Sequence, residues 1–443
     1  MPTPLLSRRQ AIGSIFAPAA GAALSAALYP ALNARAVPIA SILGATPASA
    51  EDAARDEDFW AEVGRAFTLD RSIINLNNGG VSPSPAQVQE AMKRHLEFSN
   101  TKPPPYALWQ ILEPQKEAVR ERLARQWGVD AEELAITRNA SESLQTCQFG
   151  LPLSRGDEVL TTTQDYPRMI NTFKQRERRE GIVLKQFKIP TPCESPDAII
   201  RAFESSITDK TRMILCSHVV FLTGQVLPVN DIAALGRKHN IPVIVDGAHA
   251  FAHLDYRLSD LDCDYYGTSL HKWLFAPHGT GLLYVRRDKV KDLWALMAPP
   301  PDKENDIRKF EEIGTHPAAN HLAIAEALTF YQAIGPARKE ARMRYMRDRW
   351  AKRLIDSGKG RVRLHTSLKR EYSCGLATMH IDDIDHVKLV SWLWDKHRIF
   401  VVRVELKDEF EGIRVSPSVY TTPEELDRFC ECIEWAMKNS VPA

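Results

Sequence analysis

Between Tyr265 and Arg287 the chain reads YYGTSLHKWLFAPHGTGLLYVRR, which sets Lys272 behind a Ser-Leu-His run and between two apolar stretches, WLFAP and GLLYV. A lysine so placed is predicted to lie buried beside a glycine turn. Burial disfavours the ammonium form, lowers the pKa and leaves an amine able to add to a carbonyl carbon. The plainer alternative is a solvated charge at a strand end, one of 57 Lys and Arg in the chain, so this residue alone decides nothing. Two further stretches bear on it. VIVDGAHA places Asp246 and His249 at the end of an apolar run, where an aspartate either does chemistry or caps a helix. LAITRNASESLQ turns at Asn139, Ala140 and Ser141 into a helix, and backbone N–H groups at such a start, with hydroxyls beside them, suit an anion.

An anion cup, a carboxylate at a buried strand end and a buried amine form one chemical set. Pyridoxal phosphate requires these three: a phosphate cradle, an acid that keeps the ring nitrogen protonated, and an amine for the aldehyde.

The elements that must hold this set alternate along the chain. EVLTTT, IVLKQFKI, RMILCSHVV, PVIVDGAHA and GLLYVRR read as strands, and segments such as SPDAIIRAFESSI and VNDIAALGRKHN between them have helical character. Alternation of this kind predicts an α/β fold with a mostly parallel sheet covered on both faces. In such sheets ligand groups gather beyond the carboxyl ends of the strands, where Asp246 and Lys272 fall. From about Gly335 a long charged helix leads into shorter strands at GLATMHI, IFVVRVEL and GIRVSPS, a smaller α+β lobe. The predicted division is 1–50 export signal, 51–84 N-terminal segment, 85–334 large domain and 335–443 small domain.

The motifs VDGAHA, SLHKW, EIGTHPA and IRVSPSVYTTPEELDR occur in an order and spacing that resembles the class V branch of the fold-type I aminotransferases, its isopenicillin N epimerase-like and cysteine desulfurase-like members above all. The resemblance runs from about Asn75 to Phe429. It implies that Lys272 carries the aldehyde, that Asp246 pairs with the pyridine nitrogen, and that His249 sits by the phenolic oxygen. It also implies that the Ala140 backbone and Ser141 hold the phosphate, with Ser269 and His271 adding donors. Gly314 and Thr315 match a segment that reaches the neighbouring subunit's phosphate, so a homodimer with shared active sites is expected. Tyr166 stands where desulfurases carry a histidine stacked on the ring. Arg414 matches the arginine that grips the substrate α-carboxylate, with Asn78 as a second substrate contact; the alternative for Arg414 is a surface ion pair with Glu411 or Asp408. One departure is Phe221 in SHVVFLTG, where the epimerase-like enzymes carry a small polar residue, which puts contacts there, including one from Thr223, in question.

The bulk properties narrow the partners. A net charge of +1 implies no polyanion, and nucleic acid is not an expected partner. Arg8 and Arg9 precede an alanine-rich, weakly apolar run that ends in the small-residue stretch ASA. This pattern predicts a twin-arginine export signal cut after Ala36 or Ala50, hence a periplasmic or secreted protein. Pro18 and Pro30 argue against a permanent membrane span. The seven cysteines are scattered and odd in number, which fits buried packing residues better than a disulfide framework.

The expected activity lies at the α-carbon of an amino acid or of a metabolite bearing one, with epimerisation ahead of transamination and a lyase as a further alternative. A desulfurase needs a mobile thiol ahead of Arg414, and VELKDEFEG has none. The non-enzyme alternative is a binding or regulatory protein on an inactive scaffold, and retention of both Lys272 and Asp246 speaks against it.

Overall fold

In the computed structural model, which describes residues 49–441, the sequence condenses around a seven-stranded sheet. After a short β1 (Ile74–Asn75), its strands are β2 (Leu134–Thr137), β3 (Glu158–Thr162), β4 (Val183–Phe187), β5 (Thr211–Ser217), β6 (Val243–Asp246), β7 (Tyr265–Ser269) and β8 (Gly281–Val285). They lie in the order β2-β8-β7-β6-β5-β3-β4. The run from β4 to β7 is parallel, while β8 is antiparallel to both of its neighbours. Helices α1 (Ala140–Gly150), α2 (Pro167–Glu180), α3 (Pro196–Ser206) and α4 (Val229–Lys238) separate the strands. β6 is buried along its whole length, which is why it reads as a continuous apolar run rather than an alternation. β4, at the edge, keeps Lys185 and other half-exposed residues.

Missing from the strands read out of the sequence is β7. Its Gly-Thr-Ser end resembles a turn, yet all five residues are buried between β6 and β8. Tertiary pairing overrides weak local propensity there.

The second lobe carries α5 (Pro336–Gly358) and an antiparallel sheet. Its strands β9 (Val362–Leu364), β10 (Ala377–Ile381), β12 (Val402–Leu406) and β13 (Phe410–Val415) lie in the order β12-β13-β10-β9. Helices α6 (His386–His397) and α7 (Pro423–Asn439) pack beside it, and Trp350, Leu354, Phe429 and Ile433 share its core. β1 pairs in parallel with β11 (Ile399–Phe400), and Ile74 and Leu76 enter the same core. The segment before residue 85 is therefore sewn to the C-terminal lobe. Arg8, Arg9 and Ala36 lie outside the described residues; Ala50 opens a one-turn helix capped by Ser49. No described helix is long and apolar enough to cross a membrane.

A buried ion cluster ties β2 to the segment leading to Gly314. Glu311 pairs with Arg120, which is fully buried, and with Lys116, and it accepts the Ile136 N–H at 2.6 Å. Burial alone would raise its pKa, but Arg120 and Lys116 together overcome that and hold it at about 2. Glu311→Ala is expected to cost about 2–4 kcal/mol, because Lys116 and one arm of the buried Arg120 guanidinium would lose their acid and the Ile136 N–H its acceptor, while Glu117 still holds the other arm of Arg120. The folded pKa lies below the unfolded one, so this stability is present above about pH 4.5 and is lost as pH falls toward 2. Urea melts of wild type and variant across that range measure both effects.

Candidate active site

The carboxyl ends of the parallel strands gather the ionisable groups. Lys272 follows β7 on a half-buried turn, and its Nζ lies 3.2 Å from Nε2 of His249, which follows β6. Burial lowers the Lys272 pKa to about 8; Asp246 pulls it upward and Arg414 pushes it further down. Burial pushes His249 well below its usual value, so the imidazole is neutral and can accept from the amine. Asp246, 7% exposed, is raised to about 6 by burial, against the pull of the Ala248 N–H and Lys272. Its Oδ1 takes the Ala248 N–H at 2.9 Å. Asp246 thus does cap the following turn, with one oxygen only.

At the same carboxyl end of β7 stands the start of α1. Ser269 Oγ accepts the Ala140 N–H at 2.9 Å, and the Asn139 side chain takes the Glu142 N–H. The Ala140 N–H is therefore engaged with Ser269 rather than free, because β7 and α1 pack directly. Half-buried Ser141 follows, its N–H without an intrahelical partner. Gly281 makes this corner possible: a Cβ there would stand 2.6 Å from the Asn139 backbone. His271 bonds through Nδ1 to the Thr280 carbonyl at 3.1 Å. Burial lowers its pKa to about 4. Gly314 and Thr315 are exposed, Gly314 at φ +76° with open space where a Cβ would be.

Arg414, on β13, reaches the same region from the C-terminal lobe. It is 6% exposed and donates to the Phe221 carbonyl and to Asn77 Oδ1, both at 2.8 Å. Glu411 pairs instead with Arg403, and Arg414 meets no carboxylate among the described residues. The surface ion pair considered for it does not form. Burial lowers its pKa to about 10, which leaves it charged near neutrality. Phe221 sets its ring edge-on to Tyr166 at 5.3 Å. The departure noted in SHVVFLTG therefore falls in the site itself, whereas Thr223 is fully buried and bonds to Gln225.

Asn78 does not offer its side chain to this region. Its Nδ2 donates to the Asn75 and Ser416 carbonyls, and its Oδ1 accepts from Asn75 and Tyr420. Asn77, one residue earlier, is the asparagine that meets Arg414. Asp165 was also missed. It is buried and takes hydrogen bonds from Thr161, Thr162 and Ser217 at 2.6–2.8 Å, and it locks the corner that presents Tyr166. Its place just past β3 is the signal that finds it, the same strand-end rule that picks out Asp246.

This arrangement accords with the comparisons. The model of the family described as aminotransferase class-V matches residues 74–429. The chain belongs to the class V aminotransferase family. Isopenicillin N epimerase from Streptomyces clavuligerus is 31% identical over 392 residues, 85% of this chain and 98% of that one. The protein of the same name from Amycolatopsis lactamdurans is 30% identical over 407 residues, again 85% and 98%. Among solved structures, a cysteine desulfurase from Thermococcus onnurineus superposes with a TM-score of 0.73 at 20% identity, covering 85% of this chain and 98% of that one; this shows the fold-type I architecture.

As a class V enzyme the protein is pyridoxal-phosphate-dependent, and the residues present fit that group. Besides Lys272, Asp246 and the corner at Ser141, several buried polar atoms around the site lack a protein partner, among them His249 Nδ1, Arg414 Nε and Ser416 Oγ. His249 and Ser416 flank Gly79, where a Cβ would stand 3.2 Å from His249 Cε1 and from Ser416 Oγ. A side chain there would crowd both polar groups.

Proposed function

We propose that this class V enzyme moves the α-proton of an amino acid, or of a metabolite bearing one, and inverts that centre. The observation that carries the reading is Arg414, a buried charged guanidinium with no acid partner among the described residues, held by Asn77 and the Phe221 carbonyl and suited to a planar carboxylate. When bound, pyridoxal phosphate supplies an aldehyde for the lysine and a cationic ring that accepts the electron pair left as a bond to the α-carbon breaks. The protein's own groups divide the remaining work. Asp246 holds negative charge in a buried strand end. The corner at Ser141, Ser269 and His271 binds phosphate. Lys272, with a pKa of about 8 and a neutral histidine beside it, can take or return a proton near neutrality. Inversion needs a second proton carrier, and Tyr166, on another strand end and beside the Arg414 cluster, is the group proposed for it. Transamination is the second reading, since Lys272 alone can move its proton.

A desulfurase is the least favoured reading. All seven cysteines are buried, and none lies on the hairpin between β12 and β13. The proposal includes a homodimer in which exposed Gly314 and Thr315 complete the partner's phosphate site. It includes twin-arginine export of the folded protein, since a cofactor made in the cytoplasm would have to travel already bound. A binding protein on an inactive scaffold would be colourless when purified, whereas a loaded enzyme is yellow.

The test is incubation with a panel of amino acids and peptides in deuterated water. A responsive substrate is expected to take up label at the α-carbon and lose optical purity. Tyr166→Phe should keep exchange and slow inversion about 10²-fold, the scale of one acid–base group. A keto product would turn the assignment to transamination; release of carbon dioxide or ammonia without exchange would remove both.

A further inference from the structure

Lys339 is a fully buried lysine, and no step above uses it. It sits in the first turn of α5, is 0% exposed and pairs with no carboxylate among the described residues. Its Nζ donates to the backbone carbonyl of Trp273, the residue after Lys272. The same nitrogen lies 4.0 Å from the centre of the Phe275 ring, over its face, and burial pushes the amine well below the usual lysine pKa. Phe275 has φ +62°, left-handed backbone that a bulky aromatic adopts only under constraint. The turn closes through Ala276 N–H to the Leu270 carbonyl at 3.1 Å. From the other side the Trp273 ring packs on His253 at 4.1 Å, and His253 Nδ1 bonds at 3.1 Å to the carbonyl of His249, the neighbour of the Lys272 amine.

We propose that Lys339 is a positioning residue: by gripping the Trp273 carbonyl and the Phe275 face, it holds the strained Lys272 turn and sets the reach of the Lys272 amine from the helix that opens the C-terminal lobe. A lysine so buried and unpaired is costly to keep for packing alone, since an apolar residue of the same length would fill the space. What an apolar residue cannot do is donate to the Trp273 carbonyl. This inference rests on the reading of Lys272 as the aldehyde-binding lysine.

The experiment strips the cofactor from wild type, Lys339→Met and Phe275→Leu, then adds pyridoxal phosphate back. Non-covalent binding is followed by quenching of tryptophan fluorescence, and bond formation by the visible absorbance that covalent attachment creates. In Lys339→Met, binding is expected to stay within about 3-fold of wild type while attachment slows about 10- to 100-fold, the range produced by an ångström of misplacement. Phe275→Leu keeps the donor, removes the ring, and should slow attachment in the same direction by less. A role in packing alone would lower thermal stability without moving the attachment rate. If Lys339→Met does not fold, Phe275→Leu decides. Borohydride reduction and peptide mapping separate the two ideas. Label on Lys272 with wild-type attachment in the folded variants overturns the role of Lys339 and leaves the reading of Lys272 standing. Label on any other lysine, Lys339 included, removes both.

Discussion

Lys272→Ala is expected to abolish turnover, by at least about 10³-fold, while the folded protein survives. The magnitude follows from losing two things at once, the only point of covalent attachment and a proton carrier that by itself contributes about 10²–10⁴-fold. Survival follows from the fold. The side chain is half-buried and its one polar contact is His249 at 3.2 Å, so truncation leaves no buried charge behind. Non-covalent cofactor binding should persist, because the Ser141 corner and Asp246 are untouched. In wild type, with its amine at about 8, attachment to the stripped protein should speed up as pH rises through 8 and then level off. Peptide mapping after borohydride reduction checks the assignment, and appreciable turnover in the alanine variant would sink it.

Asp246→Asn separates chemistry from capping. Asparagine can still accept the Ala248 N–H, so the turn after β6 keeps its cap and only the charge is lost. Turnover is expected to fall about 10²–10³-fold, the scale for removing one preorganised electrostatic group from a buried site. Stability should move the other way in the cofactor-free protein. Burial raises the folded pKa of Asp246 to about 6, above its unfolded value, so its contribution is fully present below about pH 3.8 and is lost as pH rises through 6. At neutral pH the carboxylate therefore strains the empty fold, and asparagine relieves it. Equal or higher melting temperature with a large loss of turnover is the expected pair of results, measured on stripped and loaded protein. Normal turnover would mean that Asp246 only caps.

Much of this was legible in the sequence by itself, and for a local reason. A strand buried on both faces is apolar along its buried run, so the stretches MILC of β5 and VIV of β6 declare a covered parallel sheet in their own composition. The strand-end rule then locates Asp246 and His249, and the two apolar stretches around it locate Lys272, without any knowledge of what they touch. Other features depend on partners far away in the chain. Nothing in NLNNGG distinguishes Asn77 from Asn78; the β1–β11 pairing fixes which one is sealed in the Asn75–Tyr420 network and which one meets Arg414. An arginine near Glu411 and Asp408 looks paired in one dimension. Only the pairing of β12 with β13, which gives Glu411 to Arg403, leaves Arg414 charged, buried and without a carboxylate among the described residues. Lys339 reads as one charge among many on a basic helix, and its meaning appears only when the fold lays it against the carbonyl beside Lys272. Apolar pattern is a property of single segments, whereas charge compensation is a property of pairs, and pairs are made by tertiary structure.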